Sequence, residues 1–85
     1  MNTVEIYTKG HCPYCHRAKA LLEQKGVTYT EFKVDVQPEL RPEMITRANG
    51  GSTVPQIFIG EQHVGGCDDL FALESQNKLD TLLSA

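Results

Sequence analysis

Cys12 and Cys15 enclose Pro13 and Tyr14, while a third cysteine, Cys67, stands alone. Three cysteines are too few, and too odd in number, for the disulfide framework of a secreted domain. In a reducing compartment a pair at this spacing means redox chemistry or metal. Pro13 suits the first position of a helix, where its missing N–H costs nothing. Cys12 then becomes the N-cap, its sulfur able to face the unpaired N–H groups of the first turn. Those donors and the helix dipole favour a thiolate, as do the neighbouring cations Lys9, Arg17 and Lys19. Cys15 lies one turn further in on the same side, within reach of a small disulfide, and should be more buried and less acidic. Cys12 is therefore expected to attack and Cys15 to resolve.

Acidity serves departure more than attack. If the Cys12 pKa fell from about 8.5 to about 5.5, its thiolate fraction at pH 7 would rise roughly 30-fold. Intrinsic nucleophilicity would fall by roughly 15- to 30-fold, so the two effects nearly cancel. A low-pKa thiol nevertheless leaves a mixed disulfide faster.

Other chemistries fit the same string less well. Zinc could count Cys12, Cys15, His11 and His16 as ligands, but their crowding leaves no loop to wrap around an ion. Cys12 to His16 also matches the C-x-x-C-H pattern of haem attachment. Against haem stand the β-branched strands, the lack of an export signal, and Met44 as the only internal methionine, on a proline-interrupted stretch. A purely structural pair is out of place where a strand turns into a helix.

The elements that position these cysteines are legible in the changing hydrophobic period. Thr3 to Thr8 alternates, with Val4 and Ile6 on one side, and predicts a strand. Ala18, Leu21 and Leu22 then carry an apolar face at helical spacing, predicting a helix from Pro13 to about Lys25 with Gly26 as its stop. Val27 to Val34 is rich in β-branched and aromatic residues and predicts a second strand. Strand, helix and strand in succession form a βαβ unit with parallel strands and a right-handed crossover. Leu40, Met44 and Ala48 predict a second helix, begun near Glu39 because Pro42 is tolerated only in a first turn, and ended before Asn49. Gln56 to Ile59 and Gln62 to Val64 flank Gly60-Glu61, a two-residue hairpin with glycine suited to a type II′ turn. Asp68 and Asp69 mark the start of a helix carrying Leu70 and Leu73, and Leu79, Leu82 and Leu83 a short closing one.

The 85 residues are expected to form one domain, residues 1–85, with a thin core. Lys and Arg total 8 against 11 Asp and Glu, a net charge of -3 that argues against nucleic acid as a partner. No apolar run approaches the roughly 20 residues that span a bilayer. The stretch Met1 to Glu5 lacks the plan of a signal peptide, so the expected location is cytoplasmic and no membrane partner is expected.

Three stretches together resemble the glutaredoxin family. They are Thr8-Lys9 before Cys12-Pro13-Tyr14-Cys15, then Thr53-Val54-Pro55-Gln56-Ile57-Phe58-Ile59, then Gly65-Gly66-Cys67-Asp68-Asp69. Order and spacing match as well, from Val4 to about Leu83. With His16-Arg17-Ala18-Lys19 following, the chain looks most like the small bacterial dithiol members of the glutaredoxin 3 type.

The resemblance implies an α/β, thioredoxin-like fold. Its four-stranded mixed sheet would have strand order 2-1-3-4, flanked by three to four helices, with the last two strands antiparallel to the others. It implies a cis bond between Val54 and Pro55, a form affordable only before proline. It also implies catalysis by Cys12 and Cys15 and a site for glutathione, a co-substrate, with no metal or nucleotide cofactor. Val54 would pair its backbone with the cysteinyl part of glutathione, beside Pro55. The γ-glutamyl carboxylate would rest on the N–H groups of Cys67 and Asp68, a sensible place for an anion. Asp68 would receive the ammonium, Lys9 would attract the glycine carboxylate, and Tyr14 and Thr53 would line the groove. Arg41 is a weaker candidate for the glycine carboxylate, because Pro42 disturbs its helix.

The implied partners are glutathionylated or disulfide-containing proteins and, through glutathione, an NADPH-dependent glutathione reductase; the chain is expected to be a monomer. His11 stands where family members often carry a small hydroxyl residue and is read as an exposed loop histidine. His63 is read as a solvated or satisfied polar residue, and Cys67 as a semi-buried bystander. Two readings of other classes stay open. A thioredoxin-type reductant usually has Gly-Pro between its cysteines and tryptophan beside them, and this chain has no tryptophan. An iron–sulfur carrier that binds a cluster between two chains is commoner where serine replaces the second cysteine.

Overall fold

The computed structural model describes residues 2–84; Met1, at the head of the N-terminal stretch read above, lies outside them. The elements run β1 (Val4–Thr8), α1 (Pro13–Gln24), β2 (Thr30–Lys33), α2 (Leu40–Arg47), β3 (Gln56–Ile59), β4 (Gln62–Gly65), α3 (Cys67–Ser75) and α4 (Leu79–Ser84). Among the described residues the strands form a four-stranded sheet in the order β2-β1-β3-β4. β1 and β2 pair in parallel, Glu5 opposite Thr30, as a βαβ crossover requires.

Two expectations need correcting. β3 runs antiparallel to β1, but β4 is antiparallel to β3 and so returns in the direction of β1. A two-residue hairpin permits no other course. β2 is also shorter than the stretch Val27 to Val34. Its ladder begins at Thr30, opposite Glu5, whereas Val27 closes the end of α1 through its N–H to the Leu22 carbonyl (3.4 Å) and packs in the core. The β-rich composition there serves burial before it serves pairing.

Alternation along β1 and β3 divides the core. Val4 and Ile6 with Ile57 and Ile59 face Ala18, Leu21 and Leu22 of α1, Leu70 of α3 and Leu79 and Leu83 of α4. Tyr7 and Phe58 face the other way, onto Met44 and Ala48. Helices on both faces explain why every residue of β3 is buried. α2 is pinned to the sheet by Arg47, which donates to the Tyr7 hydroxyl and to Glu5 (each 2.9 Å) and stacks over Phe58 at 4.1 Å. Pro42 sits in the first turn of α2, where an N–H has no helical partner to lose. Lys25, just after α1, holds α3 and α4 through Glu74 (2.7 Å) and Asp80 (2.9 Å). Gly60 has φ +61 and Glu61 is not in the left-handed region, the combination a type II′ turn needs.

Candidate active site

Cys12 caps α1. Its backbone is extended (φ -115°, ψ 99°), Pro13 follows in the first turn, and the Cys15 N–H points at the Cys12 sulfur from 3.2 Å. Cys12 and Cys15 are joined as a disulfide with Cα atoms 5.2 Å apart. Both are buried, Cys12 4% exposed and Cys15 1%. Across from them the Val54–Pro55 bond is cis, and the Val54 carbonyl oxygen lies 4.0 Å from the Cys12 sulfur.

A groove of about 480 Å³ opens beside this pair. Tyr14, Thr53, Val54, Pro55, Cys67 and Asp68, residues singled out in the sequence, all line it. Lys9 is not in its lining. It is exposed on the loop before Cys12, which is drawn toward the β2–α2 connection by Gly10, whose N–H donates to Asp35 Oδ2 (2.9 Å). That bond holds the Asp35 carboxyl below its usual range. Arg41 is likewise outside the lining and donates to the Ser52 carbonyl (2.7 Å), steadying the loop that leads to Thr53.

The far wall is the N-terminus of α3, which starts at Cys67, one residue before the two acids. Gly65, at φ +116, turns the chain into it, and the Gly66 N–H donates to Asp69 Oδ2 (2.9 Å). Asp69 was not foreseen as part of the groove, although an acid three residues after a cap is a recognisable signal. Cys67 is buried and free; burial pushes its thiol up, Arg17 offsets part of that, and Asp68 adds to it. Gln56 and His63 also line the groove and were missed. They bond each other (2.6 Å) diagonally across the hairpin, a pairing that strand alternation within one strand does not display.

Two of the three cations expected beside Cys12 are engaged elsewhere. Lys19 pairs with Glu31 (3.0 Å), which also accepts from the Thr8 hydroxyl (2.7 Å). Burial works to raise the Glu31 pKa, but these two partners and Lys33 outweigh it, and the carboxyl lies below its ordinary value. Arg17 stacks over Phe71 (5.2 Å), joining α1 to α3. What the structure places at the sulfur is the helix N-terminus, through the Cys15 N–H at 3.2 Å. Among the described residues no cluster of three or more His, Cys, Asp or Glu is arranged to hold a metal, and no helix is long and apolar enough to cross a membrane.

A cysteine pair at the N-terminus of the first helix of a βαβαββαα fold, opposite a cis-proline loop, defines a thiol–disulfide oxidoreductase of thioredoxin-like fold. Comparison with known proteins narrows the class. The family model described as Glutaredoxin matches residues 4–64. Glutaredoxin 3 of Escherichia coli is 60% identical over 83 residues, covering 98% of this chain and 99% of its own. A glutaredoxin of Pseudomonas aeruginosa is 61% identical over 85 residues and 100% of both chains. Among solved structures, a buckwheat glutaredoxin–glutathione complex superposes with a TM-score of 0.89 at 31% identity, covering 98% of this chain and 77% of that one. The chain belongs to the glutaredoxin family.

Proposed function

We propose that this chain is a glutathione-dependent oxidoreductase in which Cys12 is the nucleophile and Cys15 the resolving thiol. The observation that carries the reading is the Cys12–Cys15 disulfide at the N-terminus of α1, beside a groove walled by Val54 and the start of α3. In the monothiol cycle the Cys12 thiolate attacks a glutathionylated protein, releases its thiolate and is left joined to glutathione. A second glutathione, as thiolate, attacks that bond, restoring Cys12 and leaving as oxidised glutathione. In the dithiol cycle Cys12 attacks a protein disulfide, Cys15 displaces the bound protein thiolate to form Cys12–Cys15, and two glutathiones reduce that bond. A low pKa is an asset in both cycles, because Cys12 is a leaving group in each.

The glutathionyl group would lie in the groove with its cysteinyl backbone against Val54 and Pro55, between Tyr14 and Thr53. Its γ-glutamyl carboxylate would meet the N–H groups of Cys67 and Asp68, where a helix N-terminus favours an anion. The Asp68 carboxylate would take the ammonium. Lys9 would act on the glycine carboxylate through its charge at longer range. Electrons come ultimately from NADPH through a separate glutathione reductase. The chain acts as a single-domain monomer in the cytoplasm on glutathionylated and disulfide-bonded proteins. Reduction of a glutathione mixed disulfide, coupled to glutathione reductase and NADPH, tests the roles. Activity is expected in the wild type and in Cys15→Ser and absent in Cys12→Ser, and Cys15→Ser should lose reduction of protein disulfides. Retention of both activities in Cys15→Ser would overturn the assignment.

A further inference from the structure

Gln56 is a polar side chain inside an otherwise apolar strand, 5% exposed at the start of β3. A buried amide needs partners for both ends. Its Oε1 lies 2.6 Å from His63 Nε2, and its Nε2 faces Thr53 Oγ1 in a longer contact of 3.5 Å. An amide oxygen only accepts, so the His63 ring is the donor and carries its proton on Nε2. The ring is held for this by stacking on Phe58, with centroids 4.9 Å apart. Direction then passes along the chain of groups. His63 donates to Gln56, Gln56 donates to Thr53, and the Thr53 hydroxyl is left with its own hydrogen for the groove it lines. The same loop is anchored from its other side by Arg41 on the Ser52 carbonyl (2.7 Å).

We propose that His63 and Gln56 are a positioning pair, which fixes Thr53 as a hydrogen-bond donor to the glutathionyl group and thereby sets affinity for glutathione mixed disulfides without touching the chemistry at Cys12. The inference rests on the glutathione reading above and adds a selectivity for an acceptor, a carbonyl or carboxylate oxygen, at that wall. Neither residue reaches the reacting sulfur, so the effect belongs in KM and not in kcat.

The test compares wild type with His63→Phe, which keeps a ring on Phe58 but removes the donor, and His63→Gln, which restores an N–H. The substrate is a peptide–glutathione mixed disulfide, with kcat, KM and melting temperature measured for each. Loss of one directed hydrogen bond predicts a KM about 3- to 10-fold higher in His63→Phe, kcat within about 2-fold, and recovery in His63→Gln. Thr53→Val, at an exposed position that the fold tolerates, should reproduce the KM change and add nothing further when combined with His63→Phe. An unchanged KM in Thr53→Val, or kcat and KM moving together with a fallen melting temperature in His63→Phe, would overturn the proposal. Failure of the wild type itself to reduce the mixed disulfide would instead remove the glutathione reading.

Discussion

The backbone N–H of Cys15 is aimed at the sulfur of Cys12 from 3.2 Å, and the Val54 carbonyl oxygen approaches the same sulfur to 4.0 Å. The sulfur proposed to attack is thus also the cap of the helix that carries it. A serine oxygen can take over such a cap, and a methyl group cannot. Cys12→Ala and Cys12→Ser both abolish the disulfide, so their difference isolates the cap. Cys12→Ala should be less stable than Cys12→Ser by about 1 kcal/mol, a difference of roughly 4–8 °C in melting temperature for a domain of this size. Equal melting temperatures would show that the sulfur does not cap the helix.

Glu31 ties the strand before the active-site loop to the helix after it, accepting from Thr8 (2.7 Å) and Lys19 (3.0 Å) through one carboxylate oxygen. Its pKa is lowered in the folded state, since those partners overcome the opposing effect of burial. A depressed folded pKa means stability that is present above the unfolded value, about 4.3, and lost as pH falls through the folded one. Glu31→Gln should cost about 1–2 kcal/mol at pH 7. Urea unfolding should show the gap to wild type closing below pH 4, and a gap independent of pH would contradict the ion pair.

Gly65 has φ +116, and a Cβ there would run into the Asp69 carboxylate that accepts from Gly66. Gly65→Ala meets both the backbone penalty and the clash, about 1–3 kcal/mol together. Because Asp69 is displaced, the start of α3 shifts as well. Thermal unfolding should register the loss of stability, and turnover of a glutathione mixed disulfide should show a raised KM; a variant matching wild type in both would mean the turn is not constrained.

Cys67 is held as a thiol by burial, with Arg17 only partly compensating. Raised above its ordinary value, it stays protonated at pH 7, and the thiolate is the form that alkylates. Brief iodoacetamide treatment of the reduced protein at pH 7 should modify Cys12 and leave Cys67 free by mass spectrometry. Adducts at Cys67 should appear as pH rises toward 10 or when urea unfolds the chain. Early labelling of Cys67 at pH 7 would show that its site is open.

Much of this molecule is decided locally, which is why residue order displays it. The alternation of Val4 and Ile6, the helical spacing of Ala18, Leu21 and Leu22, and Pro13 after Cys12 each depend on neighbours within a turn or two. The same holds for the hairpin at Gly60-Glu61 and for the cysteine pair itself. Contacts between distant segments follow another logic. Lys19 looked like a cation available to Cys12 until the β1–β2 pairing brought Glu31 beside it. The ladder of β2 starts at Thr30 because β1 decides where pairing begins, whatever the propensity of Val27 to Tyr29. Gln56 and His63 meet only because the hairpin folds them onto one face, and the groove exists only because the cis-proline loop and the start of α3 converge on it. Period and spacing encode a face and a turn; which faces meet, and which charges find one another, is settled by packing the sheet between its helices.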